Sequence, residues 1–252
     1  MSPRELLTFC QSETPSLLKC LKEAVEIESP SSSRTGVDRI ARFFAREFEK
    51  LHGTVSIHEH PTTGPAVVAE FWAENRSRKP TLVLGHTDTI WNEGTLEQMP
   101  FRVRGRRAYG PGILDMKSGI VCGLWAIRAL QAMGIAPGRP VRFFLNPDEE
   151  ISSLAFRKQI MAEARRAQAA LVLEPAAERG ALKTARKGVG EFRITVHGRP
   201  AHAGVNPGAG VNAISELAKQ LLRIEKFAHP HQWVTLNVGT ISGGTRRRAS
   251  RS

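Results

Sequence analysis

A chain of 252 residues with a formal net charge of +12 can hold one large domain or two small ones, and it is long enough to bury a substantial core. Its 41% hydrophobic and 24% charged content is that of an ordinary globular protein, and no apolar run approaches the roughly 18 residues of a membrane span, which argues against a membrane partner. Nor does the positive excess make a nucleic-acid binder: Arg246, Arg247, Arg248 and Arg251 crowd the terminus, Tyr occurs once, and no basic motif is interleaved with aromatics.

The opening MSPRELLTFCQSE lacks a basic-then-apolar signal, so a cytoplasmic protein is expected. Cys10, Cys20 and Cys122 are odd in number and form no CxxC, and are read as reduced, mostly buried thiols. Thr14 to about Ser29 predicts a helix with Leu17, Leu18, Leu21 and Val25 on one face, broken by SPSSS. A second helix opens at Thr35 or Gly36, with Val37, Ile40, Phe44, Phe48 and Leu51 at helical spacing. GPAVVAEFWA and TLVLG are apolar enough for central strands. Phe101–Val103 and Arg107–Tyr109 flank a turn at Gly105 as a short hairpin. Lys117 to Met133 predicts a helix with Ile120, Leu124, Ile127 and Leu130 inward, closed by Gly134. VRFFL is a third core strand, a helix follows through Phe156, Ile160 and Met161, and ALVLE is a fourth strand.

Strands alternating with helices predict an α/β fold with a mostly parallel sheet, whose ligands bind beyond the carboxyl ends of the strands. From about Lys183 the character changes. GEFRITVHG and WVTLNVGTI read as strands around a Gly/Pro-rich loop and an amphipathic helix, Val211 to Phe227. A β-α-β unit that small buries its apolar faces poorly and reads as the start of an inserted domain.

Acidic or imidazole groups follow the apolar runs. His86-Thr-Asp88 sets an imidazole and a carboxylate two apart in an exposed loop, with Asp88 placed to orient a metal-bound His86. Asp115, at a helix start, suits both an N-cap and a metal ligand. On extended backbone Glu149 and Glu150 point to different sides, one to a metal and one to substrate. Glu174 ends an apolar run, where a buried carboxylate needs a cation. Hard oxygen donors with one imidazole and no cysteine suit zinc, with cobalt or manganese nearly as well. His58, His60, His197, His229 and His231 read as surface or structural, and Lys117, Arg186 and Lys187 as solvated charges. Gly204, Gly208 and Gly210 read as serving loop geometry.

GHTDT, YGPGILDMKSG, PDEE, LEP and RKGVGEFRITVHGRPAHAGVNPGAGVNA together resemble the M20 metallopeptidases, the group of glutamate carboxypeptidase, acetylornithine deacetylase and succinyl-diaminopimelate desuccinylase. The likeness is nearest to the glutamate carboxypeptidase branch, through GPGI and FRVRGRRAYG. It implies a zinc-peptidase catalytic domain at residues 1–182 and a partial α+β lid, the dimerisation domain, at residues 183–252. It implies two zinc ions: His86 and Glu174 on one, Glu150 on the other, Asp115 bridging both, Glu149 as general base and Asp88 orienting His86. His202, in PAHAG, resembles the lid histidine that stabilises the oxyanion in a partner subunit, so a homodimer is expected. The implied activity is hydrolysis of an amide bond in an N-acyl amino acid or small peptide.

The family pattern continues beyond GGT to a last metal-binding histidine, whereas here GGT runs into RRRASRS. The sequence is therefore expected to be C-terminally truncated, through a frameshift near Gly244. The alternative expectation is a catalytically impaired metal-binding fragment or a lid-mediated interaction module.

Overall fold

The computed structural model describes residues 2–75, 77–202, 204–229, 231 and 234–244; the four terminal arginines lie outside the described residues. The chain falls into two compact units, Met1–Ala181 and Leu182–Ser252. In the first, α1 (Pro3–Ser12) opens on a capping box in which the Ser2 hydroxyl accepts from the Glu5 N–H and the Glu5 carboxylate accepts from the Ser2 N–H. α2 (Thr14–Val25) and α3 (Arg34–Lys50) follow, the latter capped by Ser33, whose hydroxyl accepts from the Gly36 N–H. Then come β1 (Thr54–His58), β2 (Ala66–Phe71), β3 (Thr81–His86), the single turn α4 (Thr95–Gln98), and a separate hairpin of β4 (Arg102–Arg104) and β5 (Arg107–Tyr109). α5 (Ser118–Ala132), β6 (Val141–Asn146), α6 (Arg157–Arg166) and β7 (Ala169–Val172) complete the unit.

The sheet order is β1-β2-β6-β3-β7. β3 pairs parallel with both β6 and β7, but β2 pairs antiparallel with both β1 and β6. The sheet is thus mixed, where the sequence suggested mostly parallel. Residues 59–65 explain one half: they are too few for the crossover of a dozen or more residues that a parallel β1–β2 pair would need.

Strand alternation sorts the core into two layers. Val67, Ala69, Phe71, Val83, Phe143 and Leu145 face α2, α3 and α5, and here Phe48 sits 4.8 Å from Phe143 and 6.1 Å from Phe71, ring to ring. Ala66, Val68, Leu82 and Phe144 face the other way, under Phe156 and Ile160. That second layer is thin, and at the sheet edge all four residues of β7 are exposed.

The second unit contains α7 (Ala213–Ile224), capped by Asn212, whose side-chain oxygen accepts from the Ile214 and Ser215 N–H groups at 3.0 Å each. Neither strand expected here forms a ladder among the described residues; Trp233 of the second lies outside them. Only isolated bridges occur, Arg199 with Val211 and His229 with Val234. A strand needs a neighbour for its N–H and C=O groups, and Phe192, meant for a buried face, is 88% exposed.

Candidate metal centre

Because β6, β3 and β7 run parallel, their carboxyl ends share one edge of the sheet. His86 closes β3, Glu149 and Glu150 follow β6, and Glu174 follows β7. Asp115 arrives from the loop between β5 and α5. Gly112 turns that loop at φ +68°, with no room for a β-carbon, which would lie 2.7 Å from Thr89 Cγ2. Gly119 lets α5 approach the same edge: a β-carbon there would meet the Leu173 carbonyl oxygen, beside Glu174.

His86 is the centre of the cluster. Its Nδ1 lies 2.9 Å from the Asp88 carbonyl oxygen and 3.3 Å from Asp88 Oδ1, so an Nδ1–H donated to Asp88 leaves Nε2 as the outward ligand. Nε2 lies 3.0 Å from Asp115 Oδ1, 3.4 Å from Glu174 Oε1 and 4.0 Å from Glu149 Oε2. Two sets of donors, His86–Glu149–Glu174 and His86–Asp115–Glu150, each lie within 4.8 Å of one another. One imidazole nitrogen with hard carboxylates at this spacing fits a divalent cation of the zinc, manganese or cobalt type. Since both sets draw on the same nitrogen, only one cation can take it.

The electrostatics favour a cation. Burial would depress the His86 pKa, but hydrogen bonds to Asp88 and Glu174 and the charges of Asp88 and Glu149 outweigh it and push it up to about 11. Burial raises Glu149 against the lowering charge of His86, with Glu174, Asp88 and Asp115 adding to the rise; burial and then Asp115 raise Glu150. Acidic groups holding protons against their own repulsion will release them to a metal ion.

Asp88 goes the opposite way. Although buried, it is held below the usual carboxylate range by its bonds to His86 and Ser31 and the backbone N–H of Glu149. The Ser31 hydroxyl donates to Asp88 Oδ2 at 2.6 Å, and the Glu149 and Glu150 N–H groups donate to Oδ1 and Oδ2 at 3.1 Å each. One carboxylate therefore orients the imidazole and anchors the turn that carries both glutamates.

Several sequence readings need correction. His86 and Asp88 are each 1% exposed, not in an exposed loop, because Ser29 and Ser31 cover them. Asp115 does not cap α5, whose N-cap position is Lys117; its carboxylate is drawn to His86. Glu149 and Glu150 lie in a 3-10 turn, and it is this turn, not extended backbone, that sends them into different donor sets. Lys117 is buried rather than solvated, its ammonium donating to the Ile27 carbonyl at 2.7 Å. Of the cysteines only Cys20 is buried; Cys10 and Cys122 are exposed. Ser29, Ser31 and Lys117 were missed as contributors. SPSSS, a run of short hydroxyls, is suited to hydrogen bonding but does not name Asp88 as its partner.

Six of the seven residues singled out from the sequence, His86, Asp88, Asp115, Glu149, Glu150 and Glu174, meet in the first unit. His202 belongs to the second, where its Nδ1 accepts from the Gly204 and Val205 N–H groups at 3.1 and 3.0 Å. His60 is structural, its ring 5.5 Å from that of Phe156.

An α/β sheet whose parallel strand ends gather an imidazole and several carboxylates has the architecture of a metal-binding hydrolase. The chain belongs to the peptidase family M20/M25/M40, whose family model matches residues 82–236. It is 32% identical over 221 residues to carboxypeptidase G2 of Pseudomonas sp. (strain RS-16), covering 86% of this chain and 53% of that protein. It is 30% identical over 178 residues to acetylornithine deacetylase of Pasteurella multocida (strain Pm70), covering 65% of this chain and 45% of that protein. Among solved structures, a tripeptidase from Staphylococcus aureus shares the fold with a TM-score of 0.65 at 21% identity, covering 92% of this chain and 62% of the other. The M20 family metallo-carboxypeptidase of Sulfolobus solfataricus gives 0.55 at 21% identity, covering 67% and 38%. The chain spans about half the length of the curated relatives it matches.

Proposed function

We propose that this chain carries the metal-binding part of a zinc-dependent amidohydrolase that cleaves an N-acyl amino acid or a small peptide. The observation that carries the reading is the His86 imidazole, oriented by Asp88 and faced by Asp115, Glu149 and Glu174 within 4.0 Å. The names of both curated relatives, a carboxypeptidase and a deacetylase, describe amide cleavage. In this reading His86, Glu174 and Asp115 would hold one ion, and Glu150 with Asp115 the other.

When bound, such cations acidify a water molecule and polarise the scissile carbonyl. Glu149 is the base that takes the water's proton and returns it to the leaving nitrogen. Burial raises its pKa, which strengthens it as a base. Asp88 keeps the imidazole in the tautomer that presents Nε2. His202 is assigned as a donor to the developing oxyanion. Residues 183–252 are assigned as a lid through which two copies pair, which sedimentation equilibrium tests.

A second reading is a catalytically impaired metal-binding module, favoured by the single imidazole, His86, that both donor sets share. Assays with zinc on a panel of N-acetyl amino acids and dipeptides separate the two. Turnover lost in Glu149→Gln supports the hydrolase. Equal signals from both proteins support the module.

A further inference from the structure

The β4–β5 hairpin carries a charge arrangement that the metal centre does not use. Arg102 lies opposite Tyr109, Val103 opposite Ala108, and Arg104 opposite Arg107. Directly opposed residues share a face of a two-stranded ribbon, so Arg102, Arg104, Arg107 and Tyr109 stand together on one side. Val103 and Ala108 take the other, where Ala108 packs on the hydrophobic core. The three arginines are exposed, as is Arg106 at the turn. Arg102 lies over the Tyr109 ring, 5.5 Å from its centroid.

Opposed like charges destabilise a ribbon, and Arg104 against Arg107 is such a pair. Among the described residues, no carboxylate forms an ion pair with any of these four arginines. The face is therefore cationic, unneutralised and rigidly backed. β5 also leads straight through Gly110 towards Asp115. Residues 110–115 span at most about 20 Å, so Tyr109, at one end of the face, lies no further than that from Asp115.

We propose that Arg102, Arg104 and Arg107 form a docking face for the acidic segment of a peptide substrate. This rests on the hydrolase reading above and gives it a substrate class: peptides with an acidic segment within roughly eight residues of the cleaved bond. The spacing suits an extended peptide, whose alternate side chains recur at about 6.8 Å, as Arg102 and Arg104 do on their own strand. The patch is too short for a polyphosphate backbone, and its one aromatic ring is already covered by Arg102, leaving no platform for bases.

The test is fluorescence anisotropy of labelled tetraglutamate with the full chain, over a range of salt, with oligothymidylate of equal charge in parallel. Binding is expected to weaken with salt, and about tenfold on replacing Arg102→Gln, Arg104→Gln and Arg107→Gln together. The matching triple Lys variant should keep most of the affinity. Unchanged zinc content in the Gln variant is the check that it remains folded. Equal tetraglutamate affinity in wild type and Gln variant overturns the proposal, as does tighter binding of oligothymidylate. Zinc uptake without peptide binding would sink only this proposal; peptide binding without zinc uptake would sink the hydrolase reading instead.

Discussion

At the scale of single residues, the centre depends on Asp88 more than on any ligand it positions. The Asp88 carboxylate is held below its ordinary pKa, while those of Glu149 and Glu150 are held above theirs. Removing the Ser31 hydroxyl leaves Asp88 Oδ2 one donor short and frees the imidazole to tilt. Ser31→Ala should weaken zinc binding by roughly tenfold, with Thr restoring it, as calorimetric titration would read. Zinc must also displace protons from His86 and Glu150, both with raised pKa values. Its affinity should therefore rise with pH, each zinc ion releasing protons to the buffer and fewer of them at higher pH. Equal affinity at pH 6 and pH 8 would mean that these groups do not bind the metal. The ligand types were legible in the sequence because each follows an apolar run. Ser31 and Lys117 were not, since nothing local says that a serine run will fold over a carboxylate or that a lysine will be buried.

At the scale of elements, the amphipathic face of α3 was readable because burial on one side imposes a helical period. Its stability contribution follows. Phe48 is fully buried between Phe71 and Phe143, and Phe48→Ala should cost about 3–5 kcal/mol in urea unfolding. β1 went unread because an edge strand of Thr-Val-Ser-Ile-His buries too little to show a pattern. The strands expected in the second unit were read from alternation alone, which cannot supply a pairing partner. Glu28 illustrates a tie invisible at any spacing. Its carboxylate accepts from the Gly94 and Leu96 N–H groups at 2.8 and 2.9 Å, fixing the start of α4. Burial opposes the ionised form, but the backbone N–H bonds together with the Lys117 charge win and lower its pKa. A carboxylate with a lowered folded pKa contributes stability above its unfolded value and loses it as pH falls through the folded one. Wild type should thus lose more stability than Glu28→Gln between pH 5 and pH 3, measured by thermal melts of the two proteins side by side.

For the whole molecule, the decisive feature is convergence. Parallel pairing of β6, β3 and β7 brings residues some ninety positions apart in the chain, from His86 to Glu174, to one edge, where Gly112 and Gly119 let the intervening loop and helix close in. That the acidic groups would share an edge was deducible from an alternating strand–helix order. Which nitrogen and oxygens would meet was not, because it depends on the turn at Glu149 and the path of the Asp115 loop. The family match extends from the sheet into the second unit, while the chain spans about half of its curated relatives. The central claim is that His86 Nε2 and its surrounding carboxylates form a metal centre. Zinc content and calorimetric affinity of the purified chain, beside His86→Ala with an unchanged circular dichroism spectrum, test it most directly. The account predicts a tightly bound zinc ion in the wild type that is lost in the variant; equal zinc in both, or none in the wild type, would contradict it.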